Sequence, residues 1–301
     1  MRLGGGGINQ AGMKWACLLL ALLPSWVGAM AAETPRVQNL VHVKSILAEA
    51  RKAYGHGDLT NALALATQAI ELEPASAESW MFRGRLRESA RNYSGAAGDF
   101  AKVIQLEPGA AEAYVHRGQA RFRLGRREMA VEDFDRAVAV APARAPQLWQ
   151  RGLALCEVRR YADARKQFEA CHTVSSNDVE CAAWHFLCVA KTDGVEPARA
   201  HVLAVEGDPR VPMPEIWKLL AGQGKPEDIE AAVEAGKPSA FERDVRRFYA
   251  GLYLGLFFEA TGDLTRARTE LARAVAVADK VDYLGDAARL HAAGLVKPED
   301  K

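Results

Sequence analysis

Charge of one sign, long apolar runs, cysteine and recognisable catalytic motifs are all scarce in this 301-residue chain. Each scarcity removes a class of function. Lys and Arg total 39 against 38 Asp and Glu, so no net field draws the molecule toward nucleic acid or an anionic membrane. The main apolar run, Leu18 to Leu23, is broken by Pro24 and falls short of the ~20 residues a membrane-spanning helix needs. Only five cysteines occur, with no paired CxxC, which argues against a zinc ribbon. There is no HExxH, no GxSxG and no P-loop, and no glycine fingerprint outside Gly4 to Gly7. No catalytic residue and no cofactor is therefore expected. What is abundant is ordinary: 49% hydrophobic and 26% charged residues are the proportions of a folded protein, not a disordered one.

The N-terminus has the pattern of an export signal. Met13-Lys14 gives a cationic start, Leu18 to Leu23 an apolar run, and Ala29-Met30-Ala31 small residues at a cleavage spacing. The expected leader is 1–31, with Met13 as the expected true start. Removing it takes away Arg2 and Lys14 and no acid, leaving 37 basic against 38 acidic residues. Cys17 precedes the apolar run instead of following it, so no lipid anchor is expected. The mature chain is read as periplasmic or secreted, without an integral membrane segment.

Beyond the leader a period of 34 governs the chain. Gly84, Gly118 and Gly152 repeat at that interval, as do Ala96, Ala130 and Ala164, then Phe100, Phe134 and Phe168, and also Pro74, Pro108 and Pro142. Between them apolar residues recur at three and four, in two blocks of about a dozen joined by Gly57-Asp58, Arg91-Asn92, Gly125-Arg126 or Arg159-Arg160. Each unit is thus a helical hairpin. Gly and Ala stand where two antiparallel helices approach closely, Phe fills the space beside them, and Pro stops the second helix.

This register resembles the tetratricopeptide repeat (TPR), which implies an all-α fold: a right-handed superhelix, or α-α solenoid, of about six hairpins with a C-terminal capping helix. Units 1–5 are expected over 43–205 after a linker at 32–42. The fifth is degenerate, with Phe186 where Gly is expected and Val202 where Phe is expected. An irregular helical insert follows at 206–240, a late unit at 241–279, and a cap and tail at 280–301.

The resemblance also implies which side chains face inward. The partner-binding set is Met81, Arg85, Glu88, Val115, Gln119, Phe122, Arg123, Trp149 and Leu153, a mixture of aromatic, aliphatic and Arg suited to a peptide. The carboxylate clamp of chaperone adaptors is not supported, because Leu47 and Arg51 stand where it needs Lys and Asn. The ladder Arg83, Arg117 and Arg151 reads as intra-repeat pairing, with Asp99 and Asp133 on the facing helices; as partly exposed pairs these are worth about 0–1 kcal/mol each. Stacking would bring Cys156 near Cys188, or Cys171 near Cys181, as disulfides or as small buried thiols. A metal site drawn from Cys171, His172, Cys181, His185 and Cys188 is the weaker alternative.

From leader through repeats and insert to the late Phe258-Glu259-Ala260-Thr261-Gly262-Asp263, the order of parts resembles the NlpI-type periplasmic TPR proteins. That likeness implies a non-catalytic adaptor for protein or peptide partners such as envelope hydrolases or a protease, able to form a homodimer. A Cys/His metal-dependent enzyme and a structural subunit of an envelope assembly machine are the alternatives.

Overall fold

The computed structural model describes Met1 and residues 23–295. The expected start at Met13 and most of the leader lie outside the described residues, as does the tail from 296. Among the described residues there are helices and no strand, and no helix is long and apolar enough to cross a membrane. The chain divides into two compact units, residues 1–86 and 87–301.

The first unit contains α1 (Leu23–Gly55), α2 (Leu59–Leu72) and most of α3 (Ala77–Ser89). Residues 32–42, expected as a linker, are helical instead and run on into α1; from Val37 to Tyr54 no Gly or Pro interrupts them. Val43, Ile46, Leu47 and Ala69 form one buried cluster, and Ala62, Ala66 and Leu86 a second, with Phe82 packed against both. Alanine at these sites lets α1 and α2 lie close.

The second unit continues with α4 (Tyr93–Leu106), α5 (Ala111–Arg123), α6 (Arg127–Val140), α7 (Trp149–Glu157), α8 (Tyr161–His172), α9 (Val179–Asp193) and α10 (Val195–Ala200). Then come α11 (Met213–Leu220) and α12 (Pro226–Glu234), the hairpin α13 (Ala240–Ala260) and α14 (Leu264–Ala276), a 3-10 turn at Ala278–Lys280, and α15 (Tyr283–Leu295). Its core is a single cluster running from Tyr114 to Ala288.

The period is visible in the backbone. The residue that turns one helix into the next is left-handed each time, at Gly57 (φ 81°), Arg91 (φ 55°), Gly125 (φ 72°) and Arg159 (φ 59°). Glycine adopts that conformation without strain, whereas each Arg pays for it through its Cβ. After the turn Asp58 and Asn92 accept from the amides of Asn61 and Gly95 and cap the second helix. The aromatic at the fourth position reaches back to the previous proline: Trp80 Nε1 donates to the Pro74 carbonyl at 2.9 Å, and Tyr114 Oη to that of Pro108 at 3.3 Å.

Close approach is also marked in the late hairpin. A Cβ on Gly251 would lie 2.7 Å from the Glu270 carbonyl oxygen, and one on Gly255 2.6 Å from Leu271. The first helix of this hairpin is buried almost continuously from Phe248 to Glu259. It is covered on both sides, by α14 and by α9, α11 and α12.

Candidate functional site

Helical spacing gathers Val115, Gln119, Phe122 and Arg123 on α5 and sets Trp149 and Leu153 on α7, the first helices of two successive hairpins. In the structure much of this face is covered. The C-terminal helix α15 folds back across it. Tyr283 stacks on Phe122 with ring centroids 5.3 Å apart and meets Trp149 edge-on at 5.4 Å. The Arg123 guanidinium lies 5.0 Å from the Tyr283 ring and 4.9 Å from that of Tyr93.

Polar contacts frame this aromatic centre. Arg123 Nη2 donates to Asp282 at 2.9 Å, and its Nε lies 3.3 Å from Asp286. Tyr93 Oη donates to Asp286 at 3.4 Å. Further along, Arg127 bridges the Leu290 carbonyl at 3.0 Å and Glu157 at 3.2 Å. His291 sits between two carboxylates, 2.7 Å from Glu157 on α7 and 2.7 Å from Glu259 on α13. Burial opposes a charge on His291, but the hydrogen bonds to Glu157 and Glu259 outweigh it and hold the imidazole up to about 10. Burial would likewise raise Glu259, yet His291 and Lys191 keep it near 2. The cluster is an imidazolium donating to two carboxylates, with Lys191 2.9 Å from Glu259 on the far side.

A cavity of about 190 Å³ remains beside Leu284, lined by Trp149, Phe168, Trp184 and Cys181 with Asp178 and Glu180 at one edge. Both carboxylates are engaged by Arg210, which also binds Asp208, so the cavity has no spare charge for a cation.

A tetratricopeptide-repeat sequence profile matches residues 47–111 and a second matches 111–144. The chain carries tetratricopeptide repeats over residues 47–144. Its fold is similar to that of a TPR protein from Parabacteroides merdae, at 15% identity, TM-score 0.55, over 82% of this chain and 98% of that one. It is also similar to MamA, at 16% identity and TM-score 0.51, over 66% of this chain and 97% of that one. None of the curated proteins searched matches it in sequence.

Within the TPR register the predicted partner-binding residues separate into two groups. Met81 is half-buried and Arg85 exposed on α3 in the first unit. In the second unit Glu88 and Gln119 are partly exposed, and Glu88 is 2.9 Å from His116 Nδ1. Phe122 and Leu153 are 0% and 1% exposed, and Val115 is also buried. The expectation of an open groove at these three positions is therefore corrected: α15 and the neighbouring helices cover them. The helix expected to cap the end of the array does pack on α14, but it also reaches α5 and α7. Sequence reasoning missed Tyr93, Arg127, Glu157, Glu259, Asp286 and His291. The available signal was Tyr283, Asp286 and Leu290, one face at spacings of three and four.

The five-residue metal alternative does not hold together. Cys181, His185 and Cys188 share a helix, but each turns to a different partner. Cys188 Sγ is 3.3 Å from Cys156 Sγ, without a bond between them, His185 Nε2 is 3.3 Å from Glu169, and Cys181 lies by Asp178 and Cys171. Among the described residues no three metal-ligating side chains converge. Of the arginine ladder, Arg117 pairs within its own repeat, as expected, but the value of that pair needs correction, and Arg83 donates to Thr67 of the preceding repeat. Arg117 forks onto Asp133 at 2.7–3.2 Å and Arg121 reaches the same carboxylate at 2.8 Å. Asp133 is buried, so this is not a solvent-screened pair. Arg151 donates to Gln167 of its own repeat at 2.8 Å and pairs with Asp135 of the preceding repeat.

Proposed function

We propose that this protein is a non-catalytic interaction scaffold of the cell envelope, exported by its N-terminal leader, and that it takes protein or peptide partners on the first helices of its TPR hairpins. One observation carries the reading: the face that the repeat register assigns to partners engages a helix. Phe122, Arg123 and Trp149, chosen by register alone, all contact α15. Aromatic rings and Arg supply most of the binding energy at protein interfaces, and here they do so against a helix of the same chain. Export is supported by the sequence of residues 1–31, and an envelope role by the resemblance in the order of parts to NlpI-type proteins.

The test is photo-crosslinking in the native host, with the reactive side chain placed at Met81, Arg85 or Gln119 and, as a control, at exposed Met129 on α6. Proteins captured at the first three positions and not at the control support the scaffold. Equal capture at all four removes it. Mass analysis of the mature chain tests the leader: a protein that retains residues 1–31 in the cytosolic fraction removes the envelope assignment.

A further inference from the structure

Four features of α15 distinguish it from a helix that merely finishes the array. It lies on the first helices α5 and α7, where the register puts ligands. Around Arg123 it contacts them through the Tyr283 ring and Asp286, with Asp282 just before it largely exposed, and further along His291 meets Glu157 of α7. Its chain connection to α14, on which it also packs, is the short 3-10 turn Ala278–Lys280 and extended Val281. Finally, the fit is incomplete, because the Tyr283 hydroxyl is buried with no hydrogen-bond partner. A buried hydroxyl left unpaired weakens the contact that holds it.

We infer that α15 is an internal ligand of the TPR groove, and that the partner which displaces it is an amphipathic helix carrying an aromatic residue followed three residues later by a carboxylate. This rests on the reading of the chain as an interaction scaffold and says which partner the groove takes and how access is controlled. The aromatic fills the space between Phe122 and Trp149, and the carboxylate answers Arg123 and Tyr93. Phe in place of Tyr at the aromatic position binds more tightly, since it buries no unpaired hydroxyl. An intact α15 keeps the groove closed by being tethered at high effective concentration, and a competing helix must overcome that advantage.

The experiment uses the full-length chain and a fluorescent synthetic peptide of residues 280–295, read by anisotropy. Changing Tyr283→Ala, Asp286→Arg and His291→Ala together removes the ring, the acid and the imidazole that hold α15 on α5 and α7 and leaves the groove side chains intact. The opened chain is expected to bind the peptide at least about tenfold more tightly than the wild type, and the Tyr283→Phe peptide about fivefold more tightly still. Arg123→Asp in the opened chain abolishes binding, and an Asp286→Arg peptide restores it. A folded opened chain that binds no better than wild type, or a charge exchange that fails to restore binding, overturns the inference. Should the opened chain not fold, hydrogen exchange of the wild type decides: α15 amides that open independently of α13 and α14 support the inference, and amides that open only with global unfolding overturn it. Peptide binding that fails while crosslinked partners are still captured overturns the inference and leaves the scaffold reading intact. Peptide binding without any captured partner removes both.

Discussion

Gly98 and Gly251 are both helical glycines in the second unit, on α4 and α13, and the same change to Ala should move stability in opposite directions. Added methyl groups raise helix propensity by roughly 1 kcal/mol where nothing obstructs them. At Gly98 a Cβ meets no atom within 4 Å, so Gly98→Ala should stabilise by about 0.5–1 kcal/mol. At Gly251 the same methyl would stand 2.7 Å from the Glu270 carbonyl oxygen and 2.9 Å from the Ala274 amide nitrogen. Those are backbone atoms of α14 and cannot rotate aside. Overpacking of this kind typically costs ~1–3 kcal/mol, and its upper end is expected here because the hairpin must separate. After the gain in propensity the net loss is about 2 kcal/mol, so the two variants should differ by roughly 3 kcal/mol. With a urea slope of about 1–3 kcal/mol per molar the midpoints should be separated by at least about 1 M. Both residues lie within 87–301, so one transition reports both. Midpoints that shift the same way would show that α13 and α14 are not as close as the geometry states.

Three other outcomes are expected. The His291 cluster should make stability depend on pH: the imidazole value, raised from 6.5 to about 10, contributes fully below pH 6.5 and is lost as pH climbs toward 10, while Glu259, lowered from 4.5 to about 2, contributes above pH 4.5 and fails as pH falls toward 2. Thermal midpoints should therefore decline from pH 6.5 to 10, and His291→Gln should flatten that limb; an unchanged alkaline slope in the variant would rule the cluster out as its cause. Arg117→Ala should lower stability by about 1–3 kcal/mol because Arg121 still holds Asp133; Arg117→Ala with Arg121→Ala should lower it by about 3–5 kcal/mol, the penalty of an unpaired buried charge, and Asp133→Asn should recover part of it in urea melts. The four described thiols, all buried, should resist a maleimide in the native protein and react in denaturant, with rapid native labelling of Cys156 or Cys188 contradicting the packing of α7 against α9.

The hairpins were legible in the sequence because their determinants are local and repeated. Gly118 must face Phe134, with a Cβ-to-ring distance of 3.1 Å, and this requirement recurs as a fixed interval that any single unit also satisfies. Turn residues such as Gly125 and caps such as Asn92 act within a few positions of themselves, so their chemistry is readable without knowing the rest of the chain. Burial of charge was not readable in that way. Arg117 and Asp133 were visible as a pair, but whether water reaches Asp133 depends on what packs around the hairpin. The metal-like spacing on α9 misled for a related reason: one helix presents Cys181, His185 and Cys188 in a row, while three different neighbours draw them apart. The covering of Phe122 by Tyr283 joins positions 161 apart in sequence with no shared period. Spacing could nominate that face as a binding surface; only tertiary packing, which folds α15 back across it, decided what the face holds.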